Sequence, residues 1–195
     1  MDGCKGGWVV ALDGDPPDVV VVPTFTDVLA LCDGVIAVDM PIGLPAEGRR
    51  ACDTEARAML GPRRSSVFPV PTRRALAATA FAEVRGLSIQ GWNLVPKIRE
   101  VDACWESRVV ECSPELTFTV LAGAPMPQNK RTPEGRAERL AVLGDVVSRS
   151  KGAATHDVLD AHACLRTARW VVSGSAIELG DGTFDAIGRP MRVYA

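Results

Sequence analysis

The run Val35-Ile36-Ala37-Val38-Asp39 constrains the fold of this chain more than any other stretch. Four consecutive apolar residues, three of them β-branched, leave no polar side for water, so the segment reads as a central strand covered on both faces. Asp39 ends it. Met40-Pro41-Ile42-Gly43-Leu44-Pro45 then continues neither strand nor helix, because two prolines fix φ and remove donors.

The flanking patterns fit an α/β chain. Runs over 8–12 and 19–22, separated by Asp13-Gly14-Asp15-Pro16-Pro17, predict an antiparallel hairpin, and Gly3-Cys4-Lys5-Gly6-Gly7 reads as a turn. Helices are expected over 26–32, 49–60, 72–84 and 96–105, with a second interior strand over 108–112. Ser113-Pro114-Glu115 and Thr132-Pro133-Glu134 each combine an N-cap, a proline at the first helical position and an acid in the first turn, the second opening a helix to about 147. A last helix spans about 155–172, and 184–194 reads as a terminal hairpin or edge strand. At 195 residues the chain suits one domain, with a helical insertion over about 46–106.

Composition excludes several classes. With 47% hydrophobic and 24% charged residues the chain is neither disordered nor fibrous. It has no run long enough to span a membrane and no signal-peptide pattern at its start, so a cytoplasmic protein is expected. Cys4, Cys32, Cys52, Cys104, Cys112 and Cys164 show no C-x-x-C spacing and are expected to be reduced. Zincin, serine-hydrolase and P-loop motifs are absent. The net charge of −2 hides an asymmetry: 49–74 carries seven arginines against Asp53 and Glu55. That basic segment is either a solvated face or an anion-binding patch.

The carboxylates carry the chemistry. At 100° per residue, with Asp157 as zero, Ala161, Cys164, Leu165, Ala168, Val171 and Val172 fall between roughly −40° and +80°. Asp157 lies inside this apolar stripe and Asp160 on its edge, with His162, Arg166 and Arg169 opposite. Two inward acids either bind a divalent metal or favour the positive helix N-terminus. Asp39 sits at the carboxyl end of an inner strand, where open α/β sheets place ligands, although an Asx turn would put it there as well. Glu111 lies within a strand and would be structural if paired with an arginine. Asp2 alone would be a frayed terminus. Trp92 is a core residue or a base-stacking one, and His156 lies beside the acids.

Asp2-Gly3-Cys4-Lys5-Gly6-Gly7-Trp8, Val38-Asp39-Met40-Pro41-Ile42-Gly43-Leu44, Arg64-Ser65-Ser66-Val67-Phe68, Glu111-Cys112-Ser113-Pro114-Glu115 and Asp157-Val158-Leu159-Asp160-Ala161 together resemble the successive motifs of the domain of unknown function 429 family. That family is predicted to be a nuclease of the ribonuclease H-like superfamily. The resemblance implies a mixed five-stranded sheet flanked by helices, with a helical insertion after the fourth strand. It also implies that Asp2, Asp39, Asp157 and Asp160 hold two Mg²⁺ or Mn²⁺ ions, with Glu111 completing the catalytic set. A metal pair about 3.5–4 Å apart can activate water and stabilise the leaving oxygen of a phosphodiester. Arg63, Arg64, Arg73, Lys97 and Lys130 then become candidates to carry the backbone of a nucleic acid, DNA or RNA.

Only Met1 precedes Asp2, where the family carries an apolar first strand. The strand is therefore expected to be truncated, or supplied by an upstream in-frame start, which N-terminal sequencing of natively expressed protein distinguishes. Two other readings of the same fold are a nucleotide-dependent phosphotransferase-like enzyme and a non-catalytic nucleic-acid- or protein-binding module.

Overall fold

The computed structural model describes residues 1–144 and 152–195. In chain order its main elements are β1 (Asp2–Cys4), β2 (Gly7–Leu12), β3 (Asp18–Val22), α1 (Phe25–Leu31), β4 (Ile36–Val38), α2 (Ala51–Leu60) and α3 (Ile89–Cys104). They continue with β5 (Val109–Glu111), α4 (Pro114–Ala122), α5 (Pro133–Leu143), α6 (Thr155–Ser173), β6 (Glu178–Leu179) and β7 (Val193–Tyr194).

Strand β2 shows how the layers are specified. Successive side chains of a strand point to opposite faces, and here Trp8 and Val10 enter one apolar cluster while Val9 and Ala11 enter another. The first cluster includes Phe25 and Val28 of α1 with Ile98 and Val101 of α3; the second includes Val158, Ala161 and Leu165 of α6. Strand β4 repeats the pattern, with Ile36 and Val38 in the first cluster and Ala37 against Cys164 and Ala168 of α6. The strand read as covered on both faces is so covered.

α6 is itself covered twice. Leu159 and Ala163 pack away from the sheet, against Phe118 of α4, Leu143 of α5 and Met126. His162, expected on an outer face, is consequently 3% exposed. A single apolar stripe describes a surface helix, whereas α6 is sandwiched between the sheet and α4–α5.

The expected five-stranded sheet is not formed. The strands make three sheets: β1-β2-β3 antiparallel, β4-β5 parallel and β6-β7 antiparallel. β1 is present and pairs with β2 through Asp2↔Val9, Gly3↔Trp8 and Cys4↔Gly7, so part of the stretch read as a turn is strand. Among the described residues, only Met1 makes main-chain hydrogen bonds between the first two sheets. Its amino group donates to the Ala37 carbonyl at 2.9 Å, and its carbonyl accepts from Asp39 N at 3.1 Å. One residue makes a seam, not a ladder.

Other boundaries also move. The helix expected over 72–84 is replaced by 3₁₀ turns at Ala75–Ala77 and Phe81–Glu83, because Ala78 and Ala80 are extended and Glu83 accepts from Thr79 N and Oγ1. α3 begins at Ile89, with Ser88 as N-cap and Pro96 inside it, and belongs to the core rather than to an appended insertion. α5 ends at Leu143, where Gly144 adopts φ 68°; residues 145–147, expected in that helix, lie outside the described residues. In the terminal segment Phe184 bridges Pro190, and β7 pairs with β6. No helix among the described residues is long and apolar enough to cross a membrane.

The helix pair beneath α6 is fastened by charge. Arg139 Nη2 meets both Glu115 oxygens, at 2.7 and 3.0 Å, with the arginine wholly buried. Removing one partner of a buried ion pair leaves the other uncompensated, at a cost of about 3–5 kcal/mol. Arg139→Ala should therefore lose stability on that scale in chemical denaturation, and Arg139→Ala Glu115→Ala should recover part of the loss.

Candidate metal centre

Three acids from separate elements converge. Asp2 stands opposite Val9, whose side chain packs on α6, so Asp2 faces α6 too. Asp39 follows Ala37 by two residues, which keeps it on the α6 side of β4. Asp160 lies in the second turn of α6 and is wholly buried. Carboxylate oxygens of Asp2, Asp39 and Asp160 lie within 4.8 Å of one another. The Met1 seam holds the first two side by side, because the same Asp39 N that ends β4 bonds the residue before Asp2.

The cluster carries more negative charge than its surroundings compensate. Burial, reinforced by repulsion from Asp39 and Asp160, pushes the Asp2 carboxyl well above the usual range. Burial raises Asp39 as well; Lys130 opposes it and Asp160 reinforces it, leaving Asp39 at about 7. Asp160 is raised by burial against the pull of Lys130, whose ammonium bonds its Oδ2. Burial works against the Lys130 charge, but Asp160, Asp39 and Asp2 outweigh it and raise its pKa. One lysine thus serves three acids. Asp160 Oδ1 is buried with no hydrogen-bond partner. Hard oxygen ligands, an unpartnered carboxylate oxygen and surplus negative charge suit a metal cation.

The centre opens into a cleft of about 720 Å³, whose walls include Arg63, Lys97, Lys130, Arg131, His156 and Asp157. Asp157, expected to be a ligand inside the buried stripe, is half-buried and outside the three-acid group. It accepts from Ala154 N at 3.4 Å across the first turn of α6, and His156 Nε2 lies 3.3 Å from its other oxygen. The reversal follows from the double covering of α6, which buries Asp160 and leaves its first turn at the rim. Glu111 also lines the cleft but meets the arginine that makes it structural. Arg50 Nη1 and Nη2 reach its two oxygens at 2.7 and 2.6 Å, Ile42 N donates to it at 2.8 Å, and Asp53 holds the same guanidinium.

The expected phosphate-binding residues separate. Arg63 and Lys97 line the cleft, though Lys97 sits 4.4 Å above the Trp8 ring and pairs with Glu100. Lys130 is the counter-charge of Asp160. Arg64 is exposed and outside the cleft lining. Arg73 is not free to meet a phosphate, because Asp102 and Asp185 both bind it. Trp92 is half-buried against Phe81, ring centroids 6.1 Å apart, and is not part of the cleft. Arg50–Asp53, an i,i+3 pair at the start of α2, is the charged feature that sequence reasoning missed; its spacing was a usable signal.

Fold and site together define an α/β protein whose sheet edge and central helix assemble a buried acidic cluster able to hold a metal ion. The chain belongs to the family described as "Protein of unknown function (DUF429)", whose model matches residues 1–183. No curated protein and no solved structure matches it.

Because the folded-state pKa of Asp39 lies near 7, against about 3.9 for a free carboxyl, the folded protein binds an extra proton between those values. That stability is fully present below about pH 4 and is lost as pH rises through about 7. Metal-free protein should accordingly melt several degrees lower at pH 8 than at pH 5, by scanning calorimetry. Asp39→Asn should flatten the dependence, and Mn²⁺ should restore stability at pH 8 in the wild type only.

Proposed function

We propose that the protein is a divalent-metal-dependent nuclease that hydrolyses phosphodiester bonds of nucleic acid. The observation that carries the reading is the meeting of Asp2, Asp39 and Asp160, of which Asp2 and Asp39 line a cleft that Arg63, Lys97, Lys130 and Arg131 line as well. The fold adds support. The Met1 seam sets β1 of the antiparallel three-stranded sheet beside β4 of the parallel pair, without joining them in one sheet, and so brings Asp2 next to Asp39.

Asp2, Asp39 and Asp160 would hold a Mg²⁺ or Mn²⁺ ion. Bound there, such an ion supplies Lewis-acid polarisation of a phosphoryl oxygen and lowers the pKa of a water. The remaining work falls to the chain. Lys130 keeps the acids ionised enough to bind a cation, and its ammonium offers a second positive charge to a phosphate. Arg63 and Arg131 line the route by which an anionic backbone enters. With Asp157 one turn outward on α6, the arrangement favours three carboxylates and a lysine over the four-acid, two-ion arrangement implied by the resemblance.

Purified protein should cleave at least one of single-stranded, duplex, hybrid or branched substrates with Mn²⁺ or Mg²⁺. Asp39→Asn Asp160→Asn should lose about a thousandfold in rate, equivalent to roughly 4 kcal/mol of transition-state stabilisation. Undiminished cleavage by that variant would refute the carboxylate mechanism. ATP turnover without cleavage would replace it with the phosphotransferase-like reading, and binding without turnover with the module.

A further inference from the structure

The four residues Ala37, Cys112, Cys164 and Ala168 form a small buried cluster between the β4–β5 pair and α6. Cys112 is 2% exposed and Cys164 wholly buried. The two side chains share this one cluster with Ala37, whose single methyl leaves room between strand and helix. Each is also anchored to the seam. Cys164 Sγ donates to the Met1 carbonyl at 3.3 Å, and Cys112 N donates to the Val38 carbonyl at 3.0 Å. Nothing in the proposed chemistry uses either sulfur.

The pair is also a partition. Cys112 lines the acidic cleft, and Cys164 lines a second, mostly apolar cavity of about 390 Å³ with Met1, Ala37 and Val172 on its walls. Two buried cysteines of one cluster, each bordering a different cavity, give a small neutral reagent a short path from either side and exclude a bulky one.

We propose that Cys112 and Cys164 are an oxidation site: a peroxide converts the pair to a disulfide, and this bond weakens the metal centre. In the first step the Cys164 sulfur attacks one peroxide oxygen, the O–O bond breaks, and one water leaves with the thiol proton. Cys164 is then a sulfenic acid. The Cys112 sulfur displaces its hydroxyl, which departs as a second water with the Cys112 proton. The two thiols lose two electrons and two protons, and the peroxide is reduced to two waters. Burial would raise the Cys164 thiol, but Cys112 and the Met1 amino group bring it below the ordinary range, which suits it to be the attacking sulfur.

The disulfide does not depend on the nuclease reading; its effect on the metal does. Unbonded sulfurs come no closer than van der Waals contact, about 3.5–4 Å, whereas bonded sulfurs lie about 2.05 Å apart. Closure therefore draws α6 and the end of β5 together. Asp160 is one helical turn before Cys164, and Cys112 follows β5 beside Asp39, so the bond shifts two ligands relative to each other. Displacements just outside a metal's ligands cost about 10–100-fold in affinity.

The test treats wild-type protein with hydrogen peroxide and then dithiothreitol, reading a non-reducing peptide mass map and Mn²⁺ affinity by calorimetry at each stage. Expected are a linked peptide joining Cys112 to Cys164, two hydrogens lighter than the separate thiols, and Mn²⁺ binding at least about tenfold weaker. Both should revert on reduction. Cys112→Ser and Cys164→Ser should bind Mn²⁺ like the reduced wild type and ignore peroxide; the wild-type cycle decides the matter if either folds poorly. Cys112 and Cys164 remaining unlinked at a dose that oxidises half-buried Cys4 would overturn the site. A link that leaves Mn²⁺ affinity unchanged would overturn the coupling. Reduced protein that binds no Mn²⁺ would sink the metal reading and the coupling together, while the mass map still decides the disulfide.

Discussion

Three carboxylates share a buried site, and only the Lys130 ammonium and the Met1 amino group, among the ammonium groups of the described residues, stand close enough to offset them. Like charges at such distances in a medium of reduced polarity repel by several kcal/mol. The fold nevertheless holds them together through main-chain bonds: the Met1 seam fixes Asp2 beside Asp39, and packing on both sides of α6 fixes Asp160 against them. Burial above all, with repulsion from Asp160 added, raises the Asp39 carboxyl to about 7 and so favours its retaining a proton. A site built this way is stable as a protonated cluster or as a cation complex, and least stable as bare carboxylates.

Elsewhere the molecule treats charge differently. Glu111 and Asp53 surround Arg50, Glu115 meets Arg139, and Asp102 with Asp185 surrounds Arg73. Among the described residues, each buried acid outside the cluster thus has a guanidinium, whose planar fork suits two carboxylate oxygens at once. The cluster has a lysine instead, a flexible point charge. This difference separates acids held for architecture from acids left with binding capacity, and it divides the arginine-rich segment in the same way. Arg50 and Arg73 belong to ion pairs, Arg57 ties the carbonyls of Arg64 and Val67, and Arg63 lines the cleft.

Local patterns made much of the fold legible in the sequence. Val35 to Val38 announced a doubly covered strand, the turn residues after Leu12 placed the hairpin, and Thr132 caps α5 through Gly135 N as its motif suggests. Asp2 was recoverable only through the order of motifs, whereas Asp39 was also marked, weakly, by its place at the carboxyl end of an inner strand. What escaped depended on tertiary partners. Helical periodicity ranked Asp157 above Asp160 because it assumes one buried face, and α6 has two. Helix propensity favoured 72–84, but Thr79 and Glu83 bond each other locally and the alanines between turns extend. No short-range rule connects Arg73 to Asp185, 112 positions away.

The small residues of α6 give these observations a common cause. Ala161 packs on β2, Ala163 faces Phe118 of α4, and Cys164 and Ala168 meet β4. Such side chains let the sheet and the outer helices approach the same helix, leaving little slack for it to move independently. Asp160 is carried on this wedged element between Lys130 on one side and the strand acids on the other. The geometry of the cluster is consequently set by the packing of α6 rather than by the flexibility of its own side chains. Anything that alters that packing, a larger residue at Ala161 or a bond at Cys164, acts on the acids without touching them.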